Sequence, residues 1–303
     1  MRRRYEVWFL RIGLAGGDGA WWFRYLVMNP GRGGCAGNPR GQPVQVWATW
    51  FPPAGKPQTF IQGFSLDGLD LSARGQAPFH LRIGNLGIDD ASCQGALEVD
   101  GHRISWDLRY RSTFRTTLSD KGWIGFSRTP HSDGCFSGRI NFDDRSFTGD
   151  PLGFGVQGHN CGYRHRNFWT WAHAYLPRPD GGASTVEALV YEMPFGLVFR
   201  KAVLWHEGQA HVFCRLQETK RDTDNLQWEF RCVSRRGWQM EVALDGRGSN
   251  LHRLPYLKTD CSGSFEVANN SLAKAAVRVL QPGGAVEEFA TTTGAVLEMA
   301  GHA

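Results

Sequence analysis

The chain has 303 residues, enough for one large barrel or two domains, each burying a real core. Hydrophobic residues make up 41% and charged residues 21%, which excludes a disordered or fibrous chain. The net charge of +5 is modest and the arginines are scattered, so nucleic acid is not an expected partner.

Aromatic residues, at 13% with 12 Trp and 19 Phe, are the real deviation and point to β-structure with an aromatic interior. No run of about 18 apolar residues occurs, so no membrane span is expected. Met1 to Arg4 resembles the basic start of a signal peptide, but Glu6 and Arg11 interrupt the apolar stretch after it, and Tyr5 to Leu10 reads as a first strand. The seven cysteines are odd in number and widely spaced, with no CxxC pair. Neither a disulfide nor a zinc framework is expected, and a reducing cytoplasm is.

Strand-like segments then recur at Ala20 to Met28, Val44 to Phe51, Thr59 to Leu66, Phe79 to Ile83, Gly95 to Val99 and His102 to Tyr110. Asp100-Gly101, between LEV and RISWDL, is the clearest hairpin turn in the chain. Ser119 to Asp150 reads as irregular, with one hairpin turned at Asp143-Asp144-Arg145, and a domain boundary is expected near 150. Further strands are expected at Thr185 to Met193, Leu197 to Trp205, Ala210 to Gln217, Leu226 to Ser234, Trp238 to Leu244, Ala276 to Leu280 and Ala295 to Met299. The spacing predicts an all-β chain of two antiparallel barrels, residues 1–150 and 151–303, with little helix and no visible sequence repeat.

The densest stretch is GFGVQGHNCGYRHRNFWTWAHAYL, from Gly153 to Leu176. Gly158 to Gly162 reads as a tight backbone feature that brings His159 and Asn160 to one place. Beyond it, alternation sets Trp169, Trp171, His173 and Tyr175 on one strand face, against Thr170, Ala172 and Ala174 on the other. The large face suits the wall of a cavity for an apolar molecule held by a few polar contacts. The same residues would also serve as a packed core with satisfied polar tips.

Three places resemble a known family. They are YEVWFLR with AWWFRYLV, QGHNCGYRH with FWTWAHAY, and NNSLAKAAVRVL with TTTGAVLEMAGH. Together they are similar to the lipocalin-like superfamily of carotenoid 1,2-hydratase, AttH-type proteins and tocopherol cyclase. The resemblance implies two lipocalin-like barrels with a hydrophobic pocket near their junction. It also implies hydration, cyclisation or rearrangement of polyene or prenyl substrates by acid-base chemistry without a redox cofactor; other members have no known activity. Cys161 stands where the family's His-Asn-Trp-Gly element has Trp, which removes bulk beside His159 and Asn160.

Such chemistry needs an acid in a water-poor pocket. The candidates are His159, His165 and His173, and Glu187 on the next strand, whose alternation shares a face with Leu189 and Tyr191. Asn160 is assigned to orienting a water or a carbonyl, and Trp169, Trp171, Tyr175, Tyr191, Cys161 and His165 to the substrate wall, where tryptophan faces also suit a developing cation. The histidine spacings match no zinc pattern, and no GxGxxG opens a helix, so neither a metal nor a dinucleotide cofactor is expected. The expected partner is a hydrophobic small molecule. The alternative is a carrier that binds it without turnover, and oligomeric state leaves no mark in the sequence.

Overall fold

A computed structural model describes residues 4–35, 41–72, 78–122, 125–166 and 168–301. Its regular structure is strand throughout, apart from two 3-10 turns, Pro30–Arg32 and Pro194–Gly196. The first sheet holds β1 (Tyr5–Leu14), β2 (Ala20–Met28), β3 (Val44–Phe51), β4 (Gln58–Phe64), β5 (Asp70–Leu71), β6 (His80–Ile83), β7 (Leu86–Asp89), β8 (Ser92–Val99), β9 (His102–Arg111), β10 (Thr116–Asp120), β11 (Gly125–Phe142) and β12 (Arg145–Gly162). The second holds β13 (Trp169–Pro177), β14 (Ala183–Glu192), β15 (Val198–His206), β16 (Gln209–Phe213), β17 (Leu216–Asp222), β18 (Gln227–Val233), β19 (Gln239–Asp245), β20 (His252–Leu257), β21 (Ser264–Leu280) and β22 (Val286–Ala300).

The two sheets share one plan. Each closes its first strand on its last, β1 on β12 and β13 on β22, and each carries one short side strand, β10 on β11 and β20 on β21. The fold is therefore two antiparallel, lipocalin-like β units in tandem, a duplication that the sequence does not display.

Alternation along each strand decides what packs where. Trp8, Leu10 and Ile12 join Trp21, Phe23 and Tyr25 in the core of the first sheet, while Phe9 and Trp22 face outward. In the second sheet Ala172, Ala174, Val186, Ala188 and Val190 form the inner core, and Trp171, Leu189 and Tyr191 face outward. The two outward faces pack on one another in a third cluster, the junction. Arg11 crosses it. Its buried guanidinium donates to the Ser271 carbonyl through Nε (2.9 Å) and to the Thr293 carbonyl through Nη2 (2.6 Å).

The Asp100-Gly101 hairpin forms as expected, with φ of 54° and 80°, both in the region a type I′ turn needs. Four expectations are corrected. The chain leaves the first sheet only after Gly162, since β12 runs unbroken through residue 150 and pairs with both β1 and β11. Ser119 to Asp150 contains the whole of the long strand β11, whose alternation is broken by register shifts at Arg128/His131, His131/Gly134 and Phe136/Gly138.

Gly158 to Gly162 is ordinary strand, not a turn, so neighbours His159 and Asn160 point to opposite faces. Gly158 is small for packing reasons: a Cβ there would sit 2.1 Å from the Phe9 ring. Finally, Cys35 and Cys261 form a disulfide, with Cα atoms 5.4 Å apart across 226 residues. It ties a loop of the first unit to one of the second, where Asn29 Nδ2 also donates to the Thr259 carbonyl at 2.5 Å. Partners so far apart leave no spacing motif to read.

Candidate active site at the junction

Where the outward faces diverge at one end of the junction they enclose a cavity of about 340 Å³. Tyr5, Val7 and Phe9 of β1, Trp22 and Arg24 of β2, and Asn160 and Cys161 of β12 supply one wall. Trp169, Trp171, Leu189, Tyr191, Tyr256 and Glu298 supply the other. Tyr163, Arg164, His165 and Arg166, which follow β12, line it as well, together with Ser119, Lys121 and Ser127.

Of the residues expected at the site, Asn160, Cys161, His165, Trp169, Trp171 and Tyr191 line this cavity. His159, His173, Tyr175 and Glu187 do not. His159 turns into the first unit, 3.0 Å from Glu6 Oε1 and stacked on Trp8 at 4.7 Å. Tyr175 stacks on Phe154 at 4.9 Å. His173 and Glu187 are cross-strand partners deeper in the junction. There His173 Nε2 lies 2.6 Å from the Ser132 carbonyl, and Glu187 Oε1 accepts from Thr129 Oγ1 (2.7 Å) and Trp171 Nε1 (3.0 Å). They form a polar floor one residue behind the wall.

Burial sets the protonation states. Desolvation lowers the pKa of His159, of His173 to about 4 and of His165 to about 3, so all three imidazoles are neutral near pH 7. Desolvation has the opposite effect on Glu187, raising it to about 7. Of these four groups, Glu187 is thus the one inclined to carry a proton.

One carboxyl reaches the cavity itself. Glu298 of β22 accepts from Trp169 Nε1 at 3.0 Å through Oε1, and from Tyr256 OH and Asn269 Nδ2 at 3.3 Å through Oε2. Burial raises its pKa against the charge of Arg24 and the three donors. The Arg24 guanidinium lies 4.1 Å from the centre of the Tyr256 ring and 4.9 Å from that of Trp47. His165 stacks on Tyr5 at 4.3 Å, and neither of its ring nitrogens makes a well-formed hydrogen bond, although the Leu257 backbone lies near; the Trp22 indole N–H is unused. The result is an apolar aromatic chamber with one polar corner.

Sequence reasoning passed over Glu298, Tyr256 and Arg24. The signal was there for two of them: Arg24 in AWWFRYLVM and Glu298 in AVLEMA are single charges inside apolar strands, positions that burial tolerates only with partners. Among the described residues no group of three or more His, Cys, Asp or Glu could hold a metal ion, and no helix is long and apolar enough to cross a membrane.

No family model matches the chain, and no curated protein matches its sequence. Solved structures do match its fold. An AttH-like protein from Nitrosomonas europaea aligns over 100% of this chain and 93% of its own, with 13% identity and a TM-score of 0.55. CghA aligns over 99% and 90%, with 11% identity and a TM-score of 0.63. Kievitone hydratase from Nectria haematococca aligns over 99% and 89%, with 11% identity and a TM-score of 0.58. The fold implied by the sequence resemblance is thus the fold observed.

Proposed function

We propose that the chain is a cofactor-independent enzyme of the hydratase, cyclase or isomerase type, acting by proton transfer on a hydrophobic small molecule in the junction cavity. The observation that carries this reading is Glu298, a carboxyl group facing an aromatic chamber and held by the indole of Trp169, the phenol of Tyr256 and the amide of Asn269. Three donors fix its direction, while burial raises its pKa above the ordinary carboxylate value. In this reading Glu298 in its acid form delivers a proton to the substrate, water or a nucleophile within the substrate adds to the resulting cation, and the proton that this group loses returns to the Glu298 carboxylate. His165, neutral and without a well-formed hydrogen bond of its own, orients the polar end of the substrate or the water. Trp22, Trp169 and Trp171 supply the apolar walls, and Glu187, through its bond to the Trp171 indole, holds one of them in place. The substrate in this reading is isoprenoid- or polyketide-like, and the fold shared with kievitone hydratase supports the hydratase type of reaction.

A lipocalin-type carrier would need the walls but not the acid. Glu298→Gln keeps the size and the acceptor oxygen but removes the transferable proton. Turnover of a prenylated or polyene substrate should fall at least 100-fold, with ligand affinity within about tenfold of the parent, or ~1.4 kcal/mol. Unchanged turnover would remove Glu298 from the chemistry, and binding without turnover across a substrate panel would make the chain a carrier.

A further inference from the structure

The turn joining β14 to β15 is unlike the others. Phe195 is 99% exposed and Leu197 59%, and among the described residues they are the only large exposed hydrophobics that share a turn. Phe195 also has φ of 66°, a conformation that bulky L residues rarely adopt, with no packing contact in return.

The turn follows directly on the cavity wall. Tyr191 and Phe199, which flank it, are cross-strand partners with stacked rings 4.8 Å apart, and Tyr191 lines the cavity. The surroundings of this pair are also cationic. The Lys121 ammonium sits 5.8 Å from the Phe199 ring, the Arg166 guanidinium 5.4 Å from the Tyr191 ring, and Arg164 is exposed beside them.

We propose that this face docks on an anionic lipid surface, with Phe195 and Leu197 entering the apolar boundary and Lys121, Arg164 and Arg166 lying against the headgroups. The cavity then opens onto the bilayer that holds its ligand, a consequence that rests on the apolar-ligand reading above. Two other occupants fit less well. A soluble anionic ligand inside the cavity would not touch Phe195, which projects into solvent. A second copy docked by the same patch would set cations against cations.

Co-sedimentation of the full chain with phosphatidylcholine vesicles, with and without phosphatidylserine, tests the proposal. Binding should require phosphatidylserine and weaken as salt is raised. Phe195→Ser combined with Leu197→Ser should reduce binding by about tenfold or more, with the circular dichroism spectrum and the affinity for a soluble apolar probe in the cavity unchanged. The proposal fails if the parent stays in the supernatant with both vesicle types or if the double variant sediments equally well. It also fails if light scattering shows that the substitutions merely dissociate an oligomer. Loss of probe binding by Glu298→Gln or Trp171→Ala would bear on the cavity alone, so the two readings fail separately.

Discussion

Trp171 donates its indole N–H to Glu187 at 3.0 Å, and this bond joins the wall of the cavity to its floor. Trp171 lines the chamber; Glu187 lies behind it, also accepting from Thr129 of the first unit, with its second oxygen unpartnered. A carboxyl in that position stabilises the junction only while it holds its proton.

Glu187 should therefore set a pH limit on stability. Its pKa is raised from 4.5 to about 7, so its contribution is fully present below about 4.5 and is lost as pH rises through about 7. A shift of that size corresponds to roughly 3 kcal/mol. Glu187→Gln should flatten the decline between pH 5 and pH 8, checked by urea unfolding across that range. An unchanged pH dependence would show that the carboxyl is ionised and paired in the folded chain.

The two faces of β13 should respond oppositely to substitution. Ala172 lies in the inner core of the second unit at 3% exposure, so Ala172→Phe should cost about 1 to 3 kcal/mol through overpacking. It should leave ligand affinity alone. Trp171→Ala should weaken binding of an apolar ligand beyond its effect on stability, because contact area and the aromatic face are both lost. Thermal melts and ligand titrations on the pair separate the two effects.

Arg11 should act as a clamp between the units. Arg11→Leu strands the buried Ser271 carbonyl without this donor, removes the donor to the Thr293 carbonyl, and should cost roughly 1 to 3 kcal/mol. Arg11→Lys should recover only part of this, since one ammonium cannot reproduce the fork. Denaturant midpoints of the three proteins measure both.

The disulfide can be counted directly. Cys93, Cys135, Cys161, Cys214 and Cys232 keep their thiols, so the denatured protein should titrate five thiols before reduction and seven after. Reduction should lower stability by about 2 to 5 kcal/mol. Seven thiols in freshly isolated protein would instead match the reducing cytoplasm expected from the sequence.

What the sequence determined by itself was local. Alternation and turn chemistry set the all-β class, most strand positions, the Asp100-Gly101 hairpin and the division of β13 into a large and a small face, because each depends on residues adjacent in the chain. The motifs Tyr5 to Arg11 and Phe168 to Tyr175 carried the resemblance whose fold is observed. Only the tertiary structure decided the rest. Glu298, Tyr256, Arg24 and Trp169 come from four separate strands, and they meet because β22 lies beside β13 while the outward face of β2 packs across the junction. His159 and Asn160, adjacent in sequence, are separated because a strand sends neighbours to opposite faces. The Cys35–Cys261 bridge and the placing of His173 and Glu187 beneath the cavity depend likewise on how two separately cored sheets dock, and no local pattern encodes that contact.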